Sequence, residues 1–378
     1  MSVIFNNKEF KDILSTFSKL ASQNSNAHTP ISFAFDPFRM VMVTDHSFVS
    51  ATPNARIEGE NTPYTFNPEI LIGLTLSEGD VVLSWENDSS PLCLKNNYLD
   101  TKLKIALPAP QFDAFPDSID CIELPVGLFA GIKRYLEIPF VFFSGKKELT
   151  PVRFYKDSKG NLAVSADDGF SISRITTQIP VNNPCLDIKI PKYILDCLYS
   201  KCKVDDQTML KLGFHGFKFL MTNGVFQIFS SSLNDDTSDL DLALKGFKPV
   251  VSLEFSPATM STAARPLLNL LPKKDRSGSI ISFKIFEREN KVSLSTTHID
   301  IGTGAIEKVD GIQNIWIENE AKFFAINMHP SAFYEYTSLL DIDTAKLFAD
   351  NRLVHYTGKI NTGNMESTIE YAFPTVQV

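Results

Sequence analysis

Cysteine is scarce in this chain: five in 378 residues (Cys93, Cys121, Cys185, Cys197, Cys202), an odd number with no Cys-x-x-Cys pair. Cys197 and Cys202 lie five apart, a poor spacing for shared metal ligation, so the thiols read as reduced packing residues and a disulfide framework is not indicated. No apolar run approaches the roughly 18 residues needed to span a membrane as a helix. The N-terminus also lacks the basic-then-apolar layout of a signal peptide, so the expectation is a cytoplasmic protein. GxSxG, P-loop and HExxH motifs are missing, and six histidines (His28, His46, His215, His298, His329, His355) are scattered without metal spacing. The sequence therefore predicts no catalysis, no metal and no cofactor. Nor is positive charge in excess: a net charge of −8 argues against a basic protein that simply coats nucleic acid.

What is present is repetition. Residues 160–180, GNLAVSADDGFSISRITTQIP, alternate apolar and polar, break at Asp167-Asp168-Gly169 and alternate again, which reads as an antiparallel hairpin. The adjacent acids are expected to serve the turn backbone. An upstream copy runs from Met40 to Arg56 with its break at Thr44-Asp45-His46, and a downstream copy from Val292 to Ile306 with its break at Thr296-Thr297-His298. His46 and His298 read as structural turn residues. Two further landmarks keep step. A strand runs into proline and an apolar helical segment at Pro68, Pro191 and Pro330, as suits proline in a helix's first turn. Each copy also opens on an apolar-striped helix, from Phe5, Leu124 and Phe255, the last expected to end or kink at Pro266.

Three landmarks in one order imply three tandem copies of an α+β unit, with boundaries predicted at 1–118, 119–247 and 248–378. Thirty phenylalanines fit strand-rich packing. The acidic stretch Asn234–Leu242 lacks the central glycine and terminal glutamate of an EF-hand loop and reads as a solvated interdomain linker.

Charge is distributed unevenly: −6 over 1–118, 0 over 119–245 and −2 over 246–378. Lys8, Lys11, Lys19, Lys133, Arg134, Lys192, Lys201 and Lys203 fall on predicted helices, and Lys146, Lys147, Lys273 and Lys274 on adjoining loops. Solvated helix faces would account for any one of them. If the units join edge to edge through their sheets, the helices share one side and the cations form a row that grips duplex phosphates without reading bases.

This ordered repeat resembles the bacterial β sliding clamp, the processivity subunit of DNA polymerase III. The resemblance is carried by Ala166-Asp167-Asp168-Gly169-Phe170, similar to an Ala-Thr-Asp-Gly-His turn of the family, by LPAPQFDAFP (107–116) as the first interdomain link, and by the apolar tail YAFPTVQV (371–378). It implies a head-to-tail homodimer of six domains, helices inside and sheets outside, around double-stranded DNA. It also implies a groove for peptides of the replicative polymerase, the clamp loader and other partners. One wall would be Asp167, Gly169, Phe170 and Ile172, the other Tyr371, Phe373, Pro374 and Thr375. Phe170 and Asp167 depart from the family's histidine and threonine, and the tail lacks its terminal basic residue, so peptide preference is expected to differ. The competing readings are a ring of three protomers and a tandem β-rich structural protein with no DNA role.

Overall fold

A computed structural model describes the chain apart from residues 22–28, 36, 45–46, 69–70, 72–78, 105–106, 108–120, 137–150, 184, 200–208, 234–236, 272–278, 299–301, 331–332, 334–336, 338–339, 341, 363–364 and 377–378. The predicted breaks at Asp45-His46, most of the 107–116 link and the start of the acidic stretch lie outside the described residues. No described helix is long and apolar enough to cross a membrane.

The elements follow one plan three times. The first copy runs β1 (Ser2–Asn6), α1 (Asn7–Ala21), β2 (Ile31–Ala34), β3 (Arg39–Val43), β4 (Ser47–Ala51), β5 (Ala55–Glu58), β6 (Tyr64–Phe66), β7 (Asp80–Ser84), β8 (Leu92–Lys95) and β9 (Asp100–Leu103). The second runs β10 (Cys121–Pro125), α2 (Val126–Leu136), β11 (Pro151–Lys156), β12 (Asn161–Asp167), β13 (Ile172–Pro180), β14 (Asp187–Pro191), α3 (Lys192–Tyr199), β15 (Met209–His215), β16 (Lys218–Thr222) and β17 (Phe226–Ser231). A short helix, α4 (Leu240–Ala243), precedes the third copy. That copy runs β18 (Val251–Phe255), α5 (Pro257–Asn269), β19 (Ser279–Phe286), β20 (Lys291–His298), β21 (Gly302–Ile306), β22 (Ile312–Ile317), β23 (Phe323–Met328), β24 (Ala345–Ala349), β25 (Leu353–Thr362) and β26 (Met365–Pro374).

Strand pairing repeats with the order. The β2–β3–β4 meander, with β6 beside β2, recurs as β11–β12–β13 with β14 and as β19–β20–β21 with β23. The β1–β7–β8–β9 ladder recurs as β10–β15–β16–β17 and β18–β24–β25–β26. Copies are then joined by edge pairing: β4 lies antiparallel to β17, with Phe48 opposite Phe229, and β13 lies antiparallel to β26, with Ile172 opposite Ala372. Because these junctions fuse half of the middle copy to each neighbour, the two compact units cut through it. One comprises Met1–Val126 with Tyr193–Leu233, the other Gly127–Lys192 with Asn234–Val378.

Within the first unit, α1 starts where the Asn6 side chain accepts hydrogen bonds from the Lys8 and Glu9 amides (3.1 and 3.3 Å), an N-cap that satisfies otherwise orphaned donors. It buries Phe10, Ile13, Leu14 and Phe17, as its spacing predicts. Phe5 stacks on Phe10 with ring centroids 4.4 Å apart, and Phe33 on Trp85 at 5.3 Å. In the second unit, Ser256 caps α5 and Pro257 occupies its first turn. Tyr356 packs between Phe255 and Phe373, each ring 5.5 Å away.

Two expectations need correction. Pro266 does not end its helix: α5 continues to Asn269, three residues beyond it, with Pro266 exposed. The third hairpin also breaks later than Thr296–His298. Those residues continue β20, alternating buried, exposed and buried, because β-branched threonines suit the pleated strand, and His298 pairs with Gly302.

Of the two glycines in β21, Gly304 sits at a close packing contact. A Cβ on Gly304 would stand 2.7 Å from Leu270 Cδ1 and 3.2 Å from Leu267 Cδ2 at the end of α5. Gly304→Val is therefore expected to destabilise the chain by about 1–3 kcal/mol, the usual cost of overpacking, read as a lower midpoint in chemical denaturation.

Candidate functional site

The β12–β13 hairpin and β26 meet in the nine-stranded sheet of the second unit. Because side chains alternate across a sheet, the register decides which of the proposed partner-binding residues share a face. Ile172 stands opposite Ala372, and Arg174 opposite Glu370. These, with Asp167 across the hairpin from Ile172 and with Arg153 opposite Ser165, belong to one face. Tyr371 and Phe373 belong to the other, fully buried in the core, where the Tyr371 hydroxyl donates to the Tyr135 carbonyl of α2 at 2.9 Å. The proposed set is thus split: Asp167, Ile172 and Pro374 are on one side, and Tyr371 and Phe373 support the sheet from behind.

At the hairpin tip, Gly169 has φ of 77°, the left-handed conformation glycine tolerates. Asp168 Oδ1 accepts from the Phe170 amide (3.0 Å), the Ser171 amide (2.7 Å) and the Ser171 hydroxyl, so this acid serves the turn as expected. Burial raises its pKa against the opposing hydrogen bonds from Ser171 and Phe170. Phe170 is 39% exposed on the tip. Thr375 continues the tail by donating its amide to the Arg352 carbonyl (2.9 Å) and its hydroxyl to the Asn351 carbonyl (2.7 Å).

The acidic stretch differs from a merely solvated linker. Residues 237–247 form a strap on this face. Leu240 (2% exposed) packs with Ile172 and Ala372 in a small apolar cluster, flanked by Leu244 and Leu353. Asp239 caps α4 through the Asp241 and Leu242 amides and pairs with Arg153 Nη1 at 3.3 Å. Asp241 pairs with Arg174 Nη1 at 2.8 Å, and Asp167 accepts from the Ser238 amide at 3.0 Å. Composition suggested a solvated segment; the arginines it meets are 86 and 67 residues away in sequence, which a local reading cannot see.

Beneath the strap the sheet supplies its own countercharges. Asp187 holds Arg153 in a two-point contact (2.8 and 2.9 Å), and Glu370 holds Arg174 Nε at 2.8 Å. Burial alone would raise the Glu370 carboxyl, but the His355 imidazole, 3.4 Å away, and the Arg174 guanidinium outweigh it and hold its pKa at about 2.

The proposed phosphate-contacting cations are placed as follows. Lys8, Lys11 and Lys19 are exposed on α1. Lys133 and Arg134 lie on α2, with Arg134 exposed and 5.6 Å from the Tyr135 ring, and Lys192 opens α3. Lys146, Lys147, Lys201, Lys203, Lys273 and Lys274 lie outside the described residues. Arg265 is exposed on α5, the third copy's opening helix, as Lys8 and Arg134 are on theirs. Among the described residues no group of three or more His, Cys, Asp or Glu could hold a metal ion.

No family model and no curated protein matches the sequence. Solved structures do match, over the full length. The DNA polymerase sliding clamp from Bacillus subtilis superposes with a TM-score of 0.80 at 14% identity, covering 100% of both chains. The beta subunit of DNA polymerase from Streptococcus pyogenes gives 0.79 at 14%, again covering 100% of both. The DNA polymerase III beta subunit from Thermotoga maritima gives 0.77 at 15%, covering 100% of this chain and 99% of that one.

This chain has the sliding-clamp fold. At such low identity the clamp fold persists through the pairing scheme rather than through particular side chains, as the three internal copies already illustrate.

Glu370 gives the clamp-fold sheet a measurable acid dependence. Its folded pKa (about 2) lies below the ordinary carboxylate value of 4.5, so its stabilising contribution is complete above pH 4.5 and lost as pH falls toward 2. A shift of this size corresponds to roughly 3 kcal/mol. Glu370→Gln is expected to lower stability at pH 7 by about 2–3 kcal/mol and to flatten the decline between pH 4.5 and 2 in denaturant titrations.

Proposed function

We propose that this protein is a sliding DNA clamp: two copies close around duplex DNA and tether the replicative polymerase, conferring processivity without catalysing a reaction. Three clamp domains, 1–118, 119–247 and 248–378, would each contribute one third of a protomer, working in the cytoplasm. The full-length clamp fold supports the reading, and one observation carries it. Two inter-copy junctions are made within the chain, and the plan leaves one unmade. β21 is the counterpart of β4 and β13, and β9 the counterpart of β17 and β26, yet each ends its sheet unpaired among the described strands. Unpaired edges are aggregation hazards unless a specific partner covers them. A second copy would cover both.

The faces of that contact follow from the existing ones. Turns at Asn96 and Asn223 are equivalent. In each the asparagine amide donates to a carbonyl three residues on (Leu99, Phe226), and its side chain accepts from the amides two and three residues on. This sets Lys102 in the place of Phe229, on the face away from the opening helix, and Thr101 in the place of Ile228. On β21 the helix-facing positions are Gly302, Gly304 and Ile306, since a Cβ on Gly304 would meet Leu267 and Leu270 of α5, so Thr303 is on the other face. Pairing keeps like faces together, so Thr303 would stand opposite Asp100 or Lys102 of the second copy.

DNA would be held through phosphates by Lys8, Lys11, Lys19, Lys133, Arg134, Lys146, Lys147, Lys192, Lys201, Lys203, Lys273 and Lys274, with no base readout. Partner peptides, of the polymerase, a clamp loader or others, would dock beside the hairpin tip and the Ile172–Ala372 cluster. Gly169, Phe170, Pro374 and Thr375 would line that site, while Tyr371 and Phe373 brace it from the core side.

The contact is tested by Thr303→Cys combined with Lys102→Cys or with Asp100→Cys, one of which is expected to give an intermolecular disulfide dimer under mild oxidation that no single variant gives. The DNA reading is tested by retention. The loaded protein should remain on circular duplex and leave linear duplex, and a Lys133, Arg134, Lys146, Lys147 quadruple alanine variant should shorten residence with a shallower salt dependence. Equal retention on both templates, or unchanged retention of the variant, would favour a structural protein with no DNA role.

A further inference from the structure

We propose that the strap, residues 237–247, is a displaceable self-ligand of the sheet face: it closes the Ile172–Ala372 surface in the free chain and yields it to an acidic, leucine-bearing segment of a partner protein. This rests on the reading of that surface as the partner-peptide site, and adds what governs access and which chemistry is admitted.

The strap's central apolar anchor is Leu240, set against Ile172 and Ala372, with Leu244 of the strap and Leu353 of the sheet alongside and the Phe247 ring edge-on to His355 at 6.2 Å. Its polar anchors are carboxylates or backbone groups: Asp239 on Arg153, Asp241 on Arg174, the Ser238 amide on Asp167, and the Gly246 carbonyl, which accepts from Arg352 at 3.3 Å. The outer side is solvated, with Leu242 68% exposed. The strap thus holds the face chiefly by a buried leucine between two acids, with Leu244 and Phe247 adding partly exposed contacts at its end.

Removing a segment that contributes charges to half-buried arginines ordinarily strands those arginines, which is costly. Here it does not. Arg153 keeps its two-point contact with Asp187, and Arg174 keeps Glu370, because each has a carboxylate from the sheet itself in addition to the one from the strap. Both guanidiniums retain a fixed direction while offering a remaining N–H to an incoming carboxylate. The surface is preorganised for what the strap already presents, Asp-Leu-Asp, and a partner segment with that pattern would meet the same three anchors. Apolar peptides without acids would gain only the leucine contact.

The test uses a fluorescein-labelled peptide of the strap's own sequence, TSDLDLALKGF, added to the full-length protein. Leu240→Ser releases the apolar anchor while leaving the sheet face untouched. If the strap occupies the site most of the time, apparent affinity is reduced by the open fraction, so the peptide is expected to bind the Leu240→Ser chain at least about fivefold more tightly than the unmodified chain. Asp239→Asn/Asp241→Asn, which loosens the polar anchors and leaves Leu240 buried, should give a gain in the same direction. Adding Ile172→Glu to Leu240→Ser should abolish binding, and circular dichroism melting would establish that each variant is folded. A smaller gain in the folded Leu240→Ser chain, no binding to it, or binding that survives Ile172→Glu overturns the proposal. Retention on circular DNA does not use this surface, so the clamp reading stands or falls independently of the result.

Discussion

Antiparallel pairing between the outer strand of one copy's meander and the last strand of the next copy's ladder is the interaction on which this molecule depends. It occurs as β4 on β17 and as β13 on β26, and it converts three small α+β units into continuous sheets of eight and nine strands. Main-chain hydrogen bonds dominate such a junction, so it tolerates nearly any side chain compatible with a pleated edge. That tolerance explains how 12–15% identity to solved clamps coexists with full-length superposition. It also explains why Phe48–Phe229 and Ile172–Ala372 can occupy equivalent places.

The same junction builds the candidate site. Joining β13 to β26 brings Arg174 to Glu370 and Ile172 to Ala372, residues nearly 200 apart in sequence, and offers a face on which the 237–247 strap can lie. Charge and burial then divide the labour. The apolar face carries the core, with Tyr371 and Phe373 packed behind. The opposite face carries a small apolar cluster ringed by ion pairs, suited to holding a short segment without fusing with it. A buried salt bridge adds little net stability, but a guanidinium fixed by one carboxylate and open to another selects what binds.

Much of the fold was legible in the sequence because its signals are local. Period-two alternation around Asp167-Asp168-Gly169 gave the β12–β13 hairpin, apolar stripes announced the opening helices, and the recurrence of both gave the repeat. Pro266 misled because it lies near the end of α5, where the hydrogen bond it removes is followed by only one turn, held in place by burial of Leu267 and Leu268. Thr296 and Thr297 misled because turn-like polarity was weighed above their β-branched preference for strand. The site was less legible. The aromatic residues of YAFP stand out in the sequence, but the register with Ile172 puts small Ala372, between them, on the face that carries the strap. The strap's acids looked solvated because their arginine partners are remote in sequence. No alternation pattern specifies which remote strand an edge will choose.

The central claim is that the unpaired edges β9 and β21 are halves of a third junction completed by another copy. Light scattering of the purified protein at micromolar concentration tests it most directly. A mass of two chains is the expected result, falling to one chain when Thr303→Pro removes an edge amide from β21. A single-chain mass for the unmodified protein, or a three-chain mass, would contradict it.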